Sequence, residues 1–127
     1  MILGTIHYGG EWPNNAFSGG EKTLDFDMSD DFHVFTLEWS AEKFVWAVDG
    51  AVYHEEPLNR MMWSNKGSFN PYTANVQPFD GNPFFIIVNV AVGGQFFGGG
   101  PYVTPEEARN WKKRTMEIDY IHVYQRQ

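Results

Sequence analysis

The longest apolar run in the chain, Pro83-Phe84-Phe85-Ile86-Ile87-Val88-Asn89-Val90-Ala91-Val92, sets the first constraint on the fold. It opens on Asn82-Pro83 and closes on Gly93-Gly94, which are turn signals at both ends. The run is too short to cross a bilayer as a helix. β-branched and aromatic residues fill it, so it reads as a strand buried on both faces. Alternation then divides it: Ile86, Val88, Val90 and Val92 suit a dry core, while Phe85, Ile87, Asn89 and Ala91 point the other way. On that second face an amide followed by a small residue interrupts the apolar surface. Such a pair suits the floor of a cleft, where the amide bonds a ligand hydroxyl and the methyl leaves it room. The other reading is a buried amide satisfied within the protein, since buried polar groups are nearly always bonded.

The rest of the chain also carries a two-residue period. Ile2, Gly4, Ile6 and Tyr8 alternate with Leu3, Thr5 and His7, a strand over 2–8. Gly9-Gly10 ends it, and Glu11-Trp12-Pro13-Asn14-Asn15 is a loop. Trp12 there either packs beneath another loop or stands out as a flat platform for the apolar C–H face of a sugar. Further strands are expected over 22–27, 32–39, 43–48 and 51–56, the last two joined by Asp49-Gly50, a strong hairpin signal. Regular patterning stops from Pro57 to Asn82, and a loop of that length in a compact domain usually has a function or moves. The glycine-rich loop Gly93–Pro101 carries Gln95 but lacks the Lys-Ser/Thr ending of a phosphate-binding loop. Thr104-Pro105-Glu106-Glu107 reads as the start of a short helix running to about Lys113, with Thr104 as cap and Glu107 completing a capping box. A last strand is expected over 116–124. Seven short strands, a meander and one small helix predict an all-β fold, an antiparallel β-sandwich or a large part of one.

Composition narrows the function classes. At 127 residues the chain is one domain at most. A formal charge of −7 argues against nucleic acid or an anionic membrane surface as partner and leaves neutral ligands open. The absence of cysteine excludes disulfides and thiol chemistry. The start Met1-Ile2-Leu3-Gly4 carries no basic leader and runs straight into a strand, so further chain is expected upstream.

Several stretches together resemble glycoside hydrolase family 16. They are Gly4-Thr5-Ile6-His7-Tyr8-Gly9-Gly10 with Trp12-Pro13-Asn14, Phe32-His33-Val34-Phe35-Thr36-Leu37-Glu38-Trp39, Val45-Trp46-Ala47-Val48-Asp49-Gly50, the 83–94 run, and Ile118-Asp119-Tyr120-Ile121-His122-Val123-Tyr124. Each is weak alone; in this order across nearly the whole chain they make a strong match. The pattern is most similar to laminarinase-like endo-β-1,3-glucanases and the related β-glucan-recognition proteins. The resemblance implies a concanavalin-like jelly roll whose concave sheet binds β-glucan, with residues 1–127 as the C-terminal part of the domain and the sandwich incomplete. It implies retaining hydrolysis by two glutamates on a strand that lies upstream of the Gly4 segment in the family, so no catalytic residue is expected in this chain. The alternative is a non-catalytic β-1,3-glucan-recognition module. The substrate-binding residues implied are Thr5, His7, Trp12, Asn89, Ala91 and Gln95, with His7 either a cleft residue or a satisfied structural histidine. The partner implied is a β-glucan polysaccharide or oligosaccharide, and the setting is extracellular.

Glu117-Ile118-Asp119-Tyr120-Ile121-His122 mimics the family's catalytic pattern but ends in histidine. A retaining site needs two carboxyls roughly 5–5.5 Å apart across the sugar carbon, and no second glutamate follows at that spacing. The context matches the family's terminal strand instead. There Asp119 corresponds to a position that often binds a structural calcium, or else it bonds a neighbouring turn; no cofactor is required. Half a sandwich also exposes strand edges and an apolar sheet face, with the 84–92 strand the worst exposed.

Overall fold

The computed structural model describes residues 1–9, 13, 15–58, 78–94 and 103–125. Among the described residues its elements are β1 (Ile2–Gly9), β2 (Asn15–Lys22), β3 (Phe35–Trp39), β4 (Lys43–Val48), β5 (Ala51–Pro57) and a short helix, α1 (Pro105–Arg109). All strand pairs are antiparallel, so the class is all-β, as expected. The chain divides into two compact units, Met1–Pro83 and Phe84–Gln127.

The first unit holds two small sheets, β1-β2 and β3-β4-β5. β1 alternates as its sequence requires. Gly4, Ile6 and Tyr8 are buried, while Leu3 and His7 face outward. The buried side packs on β4: Ile6, Tyr8, Phe44 and Leu58 form a core, with Ala16, Trp46 and Phe79 packed against it. Phe79 meets Phe44 edge-on at 5.2 Å, a favourable aromatic geometry. Gly4 matters here because it carries no Cβ, so the Trp46 indole can lie directly on the β1 backbone.

The Asp49-Gly50 signal is borne out. Val48 pairs with Ala51 across a two-residue turn, with Asp49 at φ 50° and Gly50 at φ 77°. Positive φ at both positions is the hairpin geometry whose twist suits the flanking strands. Asp49 also ties the turn back: its carboxylate accepts from Val34 N–H at 2.9 Å and its Oδ2 lies 2.7 Å from His33 Nδ1. The meander expected over 32–56 is therefore present, with its first strand beginning at Phe35.

Three expectations are corrected. The second strand does not occupy 22–27. It is β2, Asn15–Lys22, and 23–27 is irregular, held by an Asp27 turn in which the carboxylate accepts from Ser29 N–H and Oγ. Gly19 and Gly20 have low strand propensity, and pairing with β1 overrides it. The strands expected over 84–92 and 116–124 belong to no ladder among the described residues, and 84–92 is exposed rather than buried on both faces, with Phe85 82% accessible. An apolar period makes a strand only when a neighbouring strand meets its N–H and C=O groups. The helix ends at Arg109, with Asn110 as its C-cap, rather than near Lys113. Its start agrees with the sequence: Glu107 N–H donates to Thr104 Oγ1 at 3.2 Å, and Thr104 N–H donates to Glu107 Oε2 at 2.8 Å.

Candidate functional site

Among the described residues, the outward side of β1-β2 brings the nominated Thr5 and His7 onto one face. Register places Leu3 opposite Glu21, Thr5 opposite Gly19 and His7 opposite Phe17. A strand's side chains alternate, so all six positions share one face. Gly19 leaves its centre open: a side chain there would run into the β1 backbone at Gly4 and Thr5. The result is a shallow groove of about 290 Å³ lined by Leu3, Thr5, Phe17, Gly19, Gly20 and Glu21. Phe17 is 63% exposed and Leu3 44%, so a hydroxyl and two apolar surfaces are open to a ligand.

His7 stands at one end of this face, exposed, with Asn15 and Phe17 as neighbours. Asn15 Nδ2 lies 3.1 Å from its Nδ1, and the Phe17 ring lies 6.0 Å away between centroids, tilted 35°. Asn15 sits two register positions beyond Phe17, opposite Gly9.

A second polar cluster lies between the sheets. Ser18 Oγ donates to Glu56 Oε1 at 2.7 Å, and His54 Nε2 lies 3.1 Å from Glu56 Oε2. Glu56 is buried, and the His54 ring packs on Trp46 at 5.4 Å. Burial, and then the Glu56 carboxylate, push the Tyr8 phenol above its usual range. Although a serine, a glutamate and a histidine meet here, Ser18 donates to the carboxylate and not to the imidazole, so no activated nucleophile forms. The cluster ties β2 to β5.

Thr5 and His7 are brought together on the β1-β2 face, as described. Asn89 and Ala91 lie in the second unit, both exposed. Trp12 and Gln95 fall outside the described residues. Asp119 is exposed, and no group of three or more His, Asp or Glu side chains gathers to hold a metal ion among the described residues. Glu117, the other carboxylate of the decoy pattern, is exposed and lies 3.5 Å from Thr115 Oγ1. Sequence reasoning missed Asn15, which it placed in a loop, and Phe17, which it assigned to no element. The signal was present as Phe17, Gly19 and Glu21 alternating with Ala16, Ser18 and Gly20, but three of those six positions are glycine or alanine.

The sequence profile of the glycosyl hydrolases family 16 matches residues 4–121. The chain is 46% identical over 122 residues to a glucan endo-1,3-beta-glucosidase of Cryptopygus antarcticus, covering 95% of this chain and 43% of that protein. It is 37% identical to glucan endo-1,3-beta-glucosidase A1 of Niallia circulans, covering 99% of this chain and 17% of the relative. It is 34% identical to a beta-1,3-glucan-binding protein of Penaeus monodon, covering 76% of this chain and 29% of the relative. The chain thus spans less than half the length of these relatives. No solved structure matches it.

Proposed function

The chain belongs to glycosyl hydrolases family 16, and we propose that it forms the β-glucan-binding part of a family member, with a β-1,3-glucan lying on the outward face of β1-β2. The observation that carries this reading is the alignment of Thr5 and His7 on that open face, with Phe17 directly opposite His7. A glucan presents hydroxyls, which suit a hydroxyl and an imidazole, and apolar C–H faces, which suit a phenyl ring. A neutral polymer also tolerates a chain of net charge −7. Asn89 and Ala91, which belong to the second unit, and Gln95 and Trp12 are proposed separately as sugar contacts, on the family resemblance alone. The two antiparallel sheets are of the class of the family's jelly roll. The domain reading is that residues 1–127 are its C-terminal part, acting outside the cell.

In the hydrolytic form of this reading, cleavage with retention needs an acid and a nucleophile, two carboxyls roughly 5–5.5 Å apart. We assign neither to this chain; the pair belongs to the rest of the protein. The second reading, recognition without cleavage, is favoured by the match to the beta-1,3-glucan-binding protein. Both readings place the sugar on the same face.

Intrinsic tryptophan fluorescence, titrated with β-1,3-gluco-oligosaccharides, tests the shared part. A saturable change is expected, weakened by Thr5→Val and by Phe17→Ala. A flat titration would sink the reading. The chain alone is expected to release no reducing ends from laminarin; release at the rate of an intact glucanase would overturn the assignment of the carboxylates.

A further inference from the structure

We propose that Asn15 is a positioning residue that selects the tautomer of His7, so that Nε2–H is presented outward as a hydrogen-bond donor to a sugar oxygen. The proposal rests on the glucan-binding reading for the identity of the ligand, but not for the tautomer. Its basis is one contact and one register. The amide nitrogen of Asn15, which can only donate, lies 3.1 Å from His7 Nδ1. A nitrogen that accepts carries no proton, so the neutral ring holds its proton on Nε2. The antiparallel register makes the contact possible. His7 pairs with Phe17, and Asn15 is the next residue along β2 on the same face. The Phe17 ring is a second neighbour of the imidazole, 6.0 Å away between centroids and tilted 35°.

The consequence is chemical polarity. In this tautomer His7 offers an exposed donor beside Thr5, a hydroxyl that can donate or accept. A sugar oxygen meeting both can accept from the imidazole and exchange a hydrogen bond with the threonine. In the opposite tautomer Nε2 would be an acceptor and would select for a sugar O–H instead. Asn15 thereby decides which pole of a hydroxyl this end of the face binds.

The test is nitrogen-15 NMR of the whole chain at about pH 8, where imidazole is neutral. His7 in the unaltered protein is expected in the Nε2–H form, with Nδ1 showing the chemical shift of an unprotonated acceptor. Asn15→Ala should give a mixture of tautomers. Asn15→Asp should move the proton to Nδ1, because a carboxylate accepts. Both variants should weaken binding of a β-1,3-gluco-oligosaccharide by roughly two- to tenfold, the equivalent of one hydrogen bond. A His7 found in the Nδ1–H form, or unmoved by both substitutions, overturns the proposal, and the measurement on the unaltered chain needs no variant to fold. If the tautomer behaves as described and no sugar binds, the positioning role stands and the glucan reading fails.

Discussion

Trp46 on β4 lies against Gly4 on β1 so closely that a Cβ built on Gly4 would come within 2.7 Å of the indole Cγ and Cδ2. The contact joins the two sheets of the first unit, and it works because one partner has no side chain. It also sits directly beneath the candidate binding face, since Gly4 lies between Leu3 and Thr5, which point to the other side of the same strand.

Gly4→Ala should therefore destabilise the fold by about 1–3 kcal/mol, the usual cost of an extra methyl in a packed interior. Urea denaturation followed by tryptophan fluorescence measures it. In a Trp46→Leu background the same substitution should cost less, because the clashing ring is gone, and the double-mutant cycle reads that coupling.

Ser18→Ala should cost about 1–3 kcal/mol, because it removes the donor to a buried glutamate oxygen and leaves that oxygen short of a partner. Replacing Glu56 by Gln in the Ser18→Ala background should recover part of the loss, since a neutral amide is cheaper to leave half-satisfied than a carboxylate. Equilibrium denaturation of the two variants decides it; equal stability of Ser18→Ala and the unaltered chain would rule out the bridge as a stabilising contact.

The raised Tyr8 ionisation gives the fold an alkaline limit. Burial first, and the Glu56 carboxylate second, hold the proton on the folded phenol. The unfolded chain releases it near pH 10. The stability tied to that proton is fully present below about pH 10 and is lost as pH rises through the folded value. Absorbance titration of the tyrosines should show Tyr8 ionising late, together with Tyr53, whose phenol is also raised by burial, and Glu56→Gln should bring Tyr8 earlier without restoring the ordinary value.

At the hairpin, Asp49 both occupies a positive φ and accepts from Val34 N–H. Its carboxyl is held below the usual range by that backbone bond first and by His33 second. The folded value is depressed, so this stabilisation is present above about pH 4 and is lost as pH falls through the folded value. Asn tolerates the same φ and can still accept from Val34, whereas Ala does neither. Thermal melts should rank Asp49 above Asp49→Asn, and Asp49→Asn above Asp49→Ala, with the gap between Asp49 and Asn narrowing in acid.

Asn89 separates a ligand amide from a structural one. It is exposed, so Asn89→Ala should change stability by no more than about 0.5 kcal/mol. The same substitution should weaken oligosaccharide binding by roughly tenfold if the amide meets a sugar hydroxyl. A large loss of stability with unchanged binding would return Asn89 to the buried, satisfied amide.

Much of this chain could be read from its residues because the relevant physics is local. Asp49-Gly50 can be recognised as a turn because few residue pairs accept positive φ twice in succession. The Thr104–Glu107 box specifies a helix start within four residues, and alternation in 2–8 assigns Thr5 and His7 to one face without knowledge of any partner. The motifs that carried the family resemblance also lie within the 4–121 match, save residues 122–124 at the end of the last.

What local chemistry did not determine was pairing. β2 was hidden because Gly19 and Gly20 carry no strand preference, and only hydrogen bonding to β1 places Asn15 and Phe17 beside His7. The 84–92 run has every local mark of a buried strand, yet it stands outside any described ladder, because burial belongs to the covering surface and not to the run itself. Ser18 and Glu56 are 38 residues apart, and no period in the sequence predicts their meeting. Sequence alone determined turns, caps, faces and family, which depend on neighbours a few bonds away. The tertiary structure decided register, burial and the company each polar group keeps, because those depend on contacts between residues far apart along the chain.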